Sequence, residues 1–209
     1  MNLPLQPQAL IRSQLALSIT TMQAVLADAN IHATLARAAE ATAQALRTGG
    51  KLLVAGNGGS AADAQHLVAE FVVRLSVNRA ALRAIALTTD TSILTAAGND
   101  FGFESIFARQ VEALGAPGDV FLGISTSGNS PNIICALATA RTLGLTTFGL
   151  SGGHGGSMPP LCDYSIIIPS STTMNIQESH LALEHIFCLL VEHHLFGQAI
   201  ETEPHHLSE

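Results

Sequence analysis

With 209 residues, 47% of them apolar and only 12% charged, the chain is too apolar for disorder and suits one sizeable domain with at most an appendage. So little charge cannot cover a large free surface, which predicts helix faces buried between subunits and therefore an oligomer. A net charge of −7 with no basic stripe excludes nucleic acid as a direct partner through its phosphates, and the dispersed Cys135, Cys162 and Cys188, with no CxxC, exclude a disulfide framework and read as small buried hydrophobes.

Residues 8–28 carry Leu10, Ile11, Leu15, Leu17, Met22 and Leu26 without internal Pro or Gly and read as a helix. A break at 27–30 precedes a second, Ala-rich helix over 31–48, ended by Gly49-Gly50. Two helices ahead of the first strand suit packing against another subunit; an appendage on the same subunit is the alternative. Residues 51–55 form a first strand, which breaks at Gly56-Asn57-Gly58-Gly59-Ser60 and continues as a helix to Arg74. Residues 83–87 form a second strand, with Asp90 and Thr91 as candidate N-caps of a short helix to Ala97; 98–100 is a turn and 101–114 another helix. The third strand is 119–124, followed by a helix from Pro131 to Leu143. Strands at 145–150 and 164–168 and a long helix over 174–196 complete the pattern, with a polar tail beyond Gly197 in which His205-His206 sits on a frayed end. The division is 1–50 as a helical pair of the same domain, 51–197 as the α/β body, and 198–209 as tail. Short apolar strands alternating with helices are the signature of a parallel sheet covered on both faces. No apolar run reaches membrane-spanning length and the N-terminus lacks a basic segment before an apolar core, so the cytoplasm is the expected compartment.

Three polar loops follow strand C-termini, where such sheets bind ligands: 57–60, 88–92 and 125–130. The first is a glycine-rich strand-to-helix turn whose N–H groups and helix dipole favour an anion, although such turns also occur with nothing bound. Its spacing matches neither the dinucleotide fingerprint nor a P-loop. The third packs the hydroxyls of Ser125, Thr126, Ser127 and Ser130 around Gly128 and Asn129; N-capping needs only one such residue, so the excess points to phosphate. His154 in the next glycine-rich loop reads as a solvated histidine. His66 and Glu70 lie four apart on one helix face, a spacing that suits a surface pair as well as metal ligands. On the last helix Gln177 and His185 are about two turns apart, while His180 and Glu184 form a rival pair, and spacing does not choose between them. A His/Glu pair with a Gln/His pair would make a nitrogen- and oxygen-ligated metal site; a solvated polar face is the simpler reading of the same periodicity.

Three stretches together, AGNGGSAADAQHLVAEFVVR, TTDTSILTAAGNDFGFESIFARQVEALGAPGDVFLGISTSGNSPNI and IQESHLALEH, closely resemble the phosphoheptose isomerases, single-domain members of the sugar isomerase (SIS) family. The resemblance runs from the N-terminal helices to about Phe196. It implies a doubly wound, five-stranded parallel α/β sheet of flavodoxin-like type and a cytoplasmic homotetramer with shared active sites. It also implies conversion of sedoheptulose 7-phosphate to D-glycero-D-manno-heptose 7-phosphate for the bacterial lipopolysaccharide core. Carried over residue by residue, it implies zinc (Zn2+) on His66, Glu70, Gln177 and His185, with Glu70 as base and His185 as acid. Asn57, Gly58, Ser60, Arg74, Asp90, Ser125, Thr126, Ser127, Ser130 and Gln177 would contact substrate, Arg74 reaching toward a neighbouring subunit's site. The sequence departs from the family at Asn175, where relatives often carry a basic residue. Rival expectations are a non-catalytic partner-binding relative, a sugar-phosphate-sensing module, and an isomerase of another phosphosugar.

Overall fold

The structure, a computed structural model, describes residues 6–197. Helices α1 (Pro7–Ala27) and α2 (Ala29–Arg47) lead into β1 (Leu52–Gly56), α3 (Gly59–Val72), β2 (Ala84–Ala86), α4 (Thr91–Phe101), α5 (Ala108–Leu114) and β3 (Val120–Ile124). Then come α6 (Pro131–Thr142), β4 (Thr146–Gly152), β5 (Tyr164–Ile168) and α7 (Thr173–Phe196). The tail, with the reading of His205 and His206, lies outside the described residues.

The strands form one parallel sheet in the order β2-β1-β3-β4-β5, the doubly wound α/β architecture. Strand alternation divides the core. Leu52, Val54, Val120, Leu122 and Ile124 face a cluster with α2, α3 and α7, whereas Leu53, Ala55 and Phe121 face one with α4, α5 and α6. Each of these Leu, Val, Ile and Phe side chains, wholly withdrawn from water, contributes about 1.5–3 kcal/mol. Asp119 ties the starts of the two central strands: it accepts from the Lys51 amide at 2.9 Å and ammonium at 2.6 Å, and from the Ala116 amide at 2.8 Å. Phe187 of α7 lies 5.8 Å from Phe71 of α3 and 5.5 Å from Phe148 of β4, centroid to centroid, so aromatic packing locks the two long helices to the sheet.

Four features depart from the sequence reading. First, α2 packs on its own subunit: Ile31, Leu35, Ala38, Ala39 and Ala43 enter the core, and Arg37 stacks over Tyr164 of β5. Of the two N-terminal helices it is α1 that keeps an uncovered apolar surface, with Leu10, Ile11, Leu15, Leu17, Ile19 and Leu26 exposed. Second, α3 stops at Val72 rather than Arg74 because tertiary partners take over its terminal groups. Arg79 donates to the carbonyls of Glu70 and Phe71, each at 2.7 Å, and Glu192 captures the amides of Leu75 and Ser76. Third, α4 runs through Gly98-Asn99-Asp100, read as a turn, and breaks at Gly102, whose φ of 89° cannot continue a helix; 101–114 is therefore a short 3-10 turn and a separate α5, not one helix. Fourth, the polar residues of α7 do not form one solvated face: His180, Glu184 and Glu192 are buried, while Glu178 and His193 are exposed.

Candidate active site

The sheet order reverses between β1 and β3, and the crevice beyond their C-terminal ends is the ligand-binding edge of such a sheet. The loop after β1 opens α3 and the loop after β3 opens α6, so two helix N-termini flank this crevice. Neither helix has a side-chain cap, which leaves their first amides available to an anion. Asn57 and Asn132 join the two loops through reciprocal amide hydrogen bonds of 2.9 and 2.8 Å.

The hydroxyls of the second loop converge. Ser125, which is buried, lies 2.8 Å from the Ser130 hydroxyl and 3.5 Å from that of Ser127. Ser130 occupies the N-cap position of α6, yet its hydroxyl turns to Ser125 rather than to the helix amides. This loop is braced from β4: Ser157 donates its amide to the Gly128 carbonyl at 3.0 Å and its hydroxyl to the Asn129 side chain at 3.1 Å. His154 on the same bracing loop is exposed, as expected.

Residues 59, 63, 66 and 70 line one stripe of α3, and that stripe meets α7. His66 Nε2 is 2.8 Å from His185 Nε2 and 3.7 Å from the Glu70 carboxylate. Two ring nitrogens so close must either share a proton, one ring donating and the other accepting, or converge on a common cation. Gln177 lies two turns earlier on α7 and donates from Nε2 to Asp63 Oδ1 at 3.2 Å. Its amide rests against Gly59, where a Cβ would stand 2.4 Å from Nε2 and 2.5 Å from Oε1, so any larger residue there would displace the Gln177 amide. Among the described residues no three His, Cys, Asp or Glu side chains draw together tightly enough to hold a metal ion. The donor set of two facing imidazoles, a carboxylate and an amide nevertheless fits zinc chemically.

Of the rival pair on α7, His180 is directed away from this site, whereas Glu184 lies near the Asp63 carboxylate. His180 donates from Nε2 to the Ser151 carbonyl of β4 at 3.0 Å, and burial pushes its pKa down to about 4, so the ring is neutral. Burial, reinforced by the nearby Asp63 carboxylate, pushes Glu184 up to about 8. Burial likewise raises Asp63, opposed by the Gln177 hydrogen bond and by His66. Asp63 Oδ2, His180 Nδ1 and both Glu184 oxygens are buried without a hydrogen-bond partner.

Of the other predicted site residues, Asp90 is the N-cap of α4, accepting from the Ile93 amide at 2.9 Å. Arg74 is exposed just beyond α3 and forms no ion pair among the described residues. Gly58 caps α3 at a φ of 56° and Ser60 is buried in its first turn. Asn175 is buried and donates to Ser18 of α1 at 2.9 Å and Glu178 at 3.2 Å, so the departure from the family pattern lies in a contact with α1. Sequence reasoning missed Asp63 and Asn132. The three-residue spacing from Asp63 to His66 could have revealed the first; nothing local marks the second.

The fold and this edge define the class. The SIS domain model matches residues 19–152. The chain is 53% identical over 188 residues, 90% of its length and 95% of the relative's, to the phosphoheptose isomerase of Burkholderia pseudomallei. The solved phosphoheptose isomerase of Neisseria gonorrhoeae superposes with a TM-score of 0.84 at 41% identity, covering 90% of this chain and 99% of that one. The Francisella tularensis phosphoheptose isomerase gives 0.86 at 37% identity, with 90% and 98% covered. The chain therefore belongs to the SIS domain family and, within it, to the phosphoheptose isomerases.

Proposed function

We propose that this protein isomerises sedoheptulose 7-phosphate to D-glycero-D-manno-heptose 7-phosphate. The observation that carries the reading is the meeting of His66, Glu70 and His185, from α3 and α7, at a sheet edge that also holds a hydroxyl-lined loop and two uncapped helix N-termini. The phosphate would sit on Ser125, Thr126, Ser127 and Ser130. Asn57, Gly58, Ser60 and Asp90 would line the sugar, and Arg74 would serve a neighbouring site.

The Glu70 carboxylate takes the proton from C1 of the ketose, and the electron pair left behind forms the C1=C2 bond of an enediol. As it forms, the C2=O pair moves onto O2, which His185 protonates. His185 then takes the O1 proton, C1=O forms as the C1=C2 pair collects the proton held by Glu70 at C2, and the aldose results, with His185 also assisting ring opening. His66, Glu70, Gln177 and His185 are the residues that would hold zinc, which when bound supplies Lewis-acid polarisation of the sugar oxygens. The exposed apolar face of α1 supports assembly into a homotetramer with shared sites. Among the described residues no helix is long and apolar enough to cross a membrane. We place the reaction in the cytoplasm, its product feeding heptose synthesis for lipopolysaccharide. A non-catalytic partner-binding role is not favoured, because the acid/base donors are all present.

Incubation with sedoheptulose 7-phosphate, followed by NMR, should show the aldoheptose 7-phosphate, and a zinc-supplemented protein that forms none refutes the function. Glu70→Gln and His185→Gln should each lose about 10²–10⁴-fold in kcat while still binding sugar phosphate. Wild-type turnover by either variant refutes its assignment.

A further inference from the structure

A glutamine amide has an accepting end and a donating end, and only the carbonyl can bind a cation or accept from a sugar hydroxyl. Which end Gln177 presents depends on what holds the other. Two residues of α3 do so. Gly59, lacking a Cβ, provides the surface on which the amide lies, with both its polar atoms close by. Asp63, only 6% exposed, accepts from Nε2 at 3.2 Å. An ionised carboxylate accepts and does not donate, so in that form Asp63 takes the NH2 group and rejects the carbonyl. Asp63 precedes His66 by three residues and Glu70 by seven, so the residue holding Gln177 shares the helix stripe of the proposed ligands.

We propose that Asp63 is a positioning residue that selects the orientation of the Gln177 amide, turning its carbonyl toward the site formed by His66, Glu70 and His185. The inference rests on the reading of Gln177 as a zinc and substrate contact. Outer partners that orient ligands in this way typically affect metal affinity about 10–100-fold.

The test is a double-mutant cycle on the full chain with wild type, Asp63→Asn, Gln177→Ala and the double variant, reading zinc affinity by chelator competition. The Asp63→Asn change keeps the side-chain volume but introduces an amide that can hold either end of Gln177, so affinity should fall about 10–100-fold. In the Gln177→Ala background the same change should have less than about a twofold effect, because there is no glutamine amide left to orient. An equal loss in both backgrounds means Asp63 acts through its charge or through packing and overturns the proposal, as does undiminished affinity of Asp63→Asn. A wild type that takes up no zinc refutes the metal reading, and the same cycle read on KM for sedoheptulose 7-phosphate then decides: coupled effects support the proposal and additive ones overturn it. Should Asp63→Asn not fold, NMR of the wild-type protein decides instead. One Gln177 side-chain amide proton should be protected from solvent exchange, and fast exchange of both overturns the proposal.

Discussion

Removing the Arg79 guanidinium should destabilise the protein well beyond a surface substitution. Arg79 and Glu192 pair at 2.9 Å with side chains only 3% and 4% exposed. Burial alone would raise the Glu192 carboxyl, but hydrogen bonds from the Ser76 hydroxyl, the Leu75 and Ser76 amides and Arg79 hold it below its ordinary value. Breaking a buried pair by truncating one partner costs about 3–5 kcal/mol, because a charge is left uncompensated. Here the Ser76 hydroxyl at 2.6 Å and the two amides at 3.2 and 3.3 Å remain in Arg79→Ala, which favours the lower end, about 3 kcal/mol. For a chain of this size that corresponds to a fall in Tm of roughly 6–12 °C. Thermal unfolding at one fixed protein concentration measures it, since subunit association also shifts Tm. Adding Glu192→Gln should recover part of the loss, about 0.5–3 kcal/mol of coupling. A fall under about 2 °C, or strict additivity of the two changes, would refute the assignment of the stability to this pair.

Two further predictions concern the buried carboxyl and the hydroxyl loop. Glu184 titrates in the unfolded chain near 4.5 but only at about 8 when folded, so the folded state holds the proton longer and stability falls as pH rises between those values. His180 works the other way, losing stability as pH drops from 6.5 toward about 4, so the clean window for Glu184 is pH 6.5 to 8. In that window Glu184→Gln should raise Tm and flatten its decline with pH, and an unchanged slope would contradict the buried, unpartnered carboxyl. Ser125→Ala and Ser130→Ala each remove a hydroxyl from the proposed phosphate cradle. The loss of about 1.5–3 kcal/mol expected of a charge-assisted hydrogen bond corresponds to a rise in KM of roughly 10–150-fold, with kcat less affected. Steady-state kinetics that leave KM unchanged would remove the phosphate from this loop.

The strands and loops of the crevice were legible because their signals are local. Apolar runs bounded by glycine mark β1 and β3, and Pro131 marks the start of α6. Element ends were less so where a distant group intervenes. The last turn of α3 competes with Arg79 and Glu192, and no residue near Arg74 announces them. Nor does the helical period of α7 distinguish a solvated histidine from a buried one: His180 and His185 are both polar residues on one helix, yet one points at Ser151 and the other at His66.

The sequence by itself determined the alternation of strands and helices, and with it a parallel sheet whose polar loops collect at one edge. Local propensity, chain period and turn chemistry suffice for that. Only the tertiary structure decided that α2 belongs to the core while α1 keeps its apolar face exposed, and that Gln177 comes to rest on Gly59 and Asp63. Both outcomes depend on packing between elements far apart in the chain. The energy of such packing resides in the contact itself, so neither partner's local sequence records it.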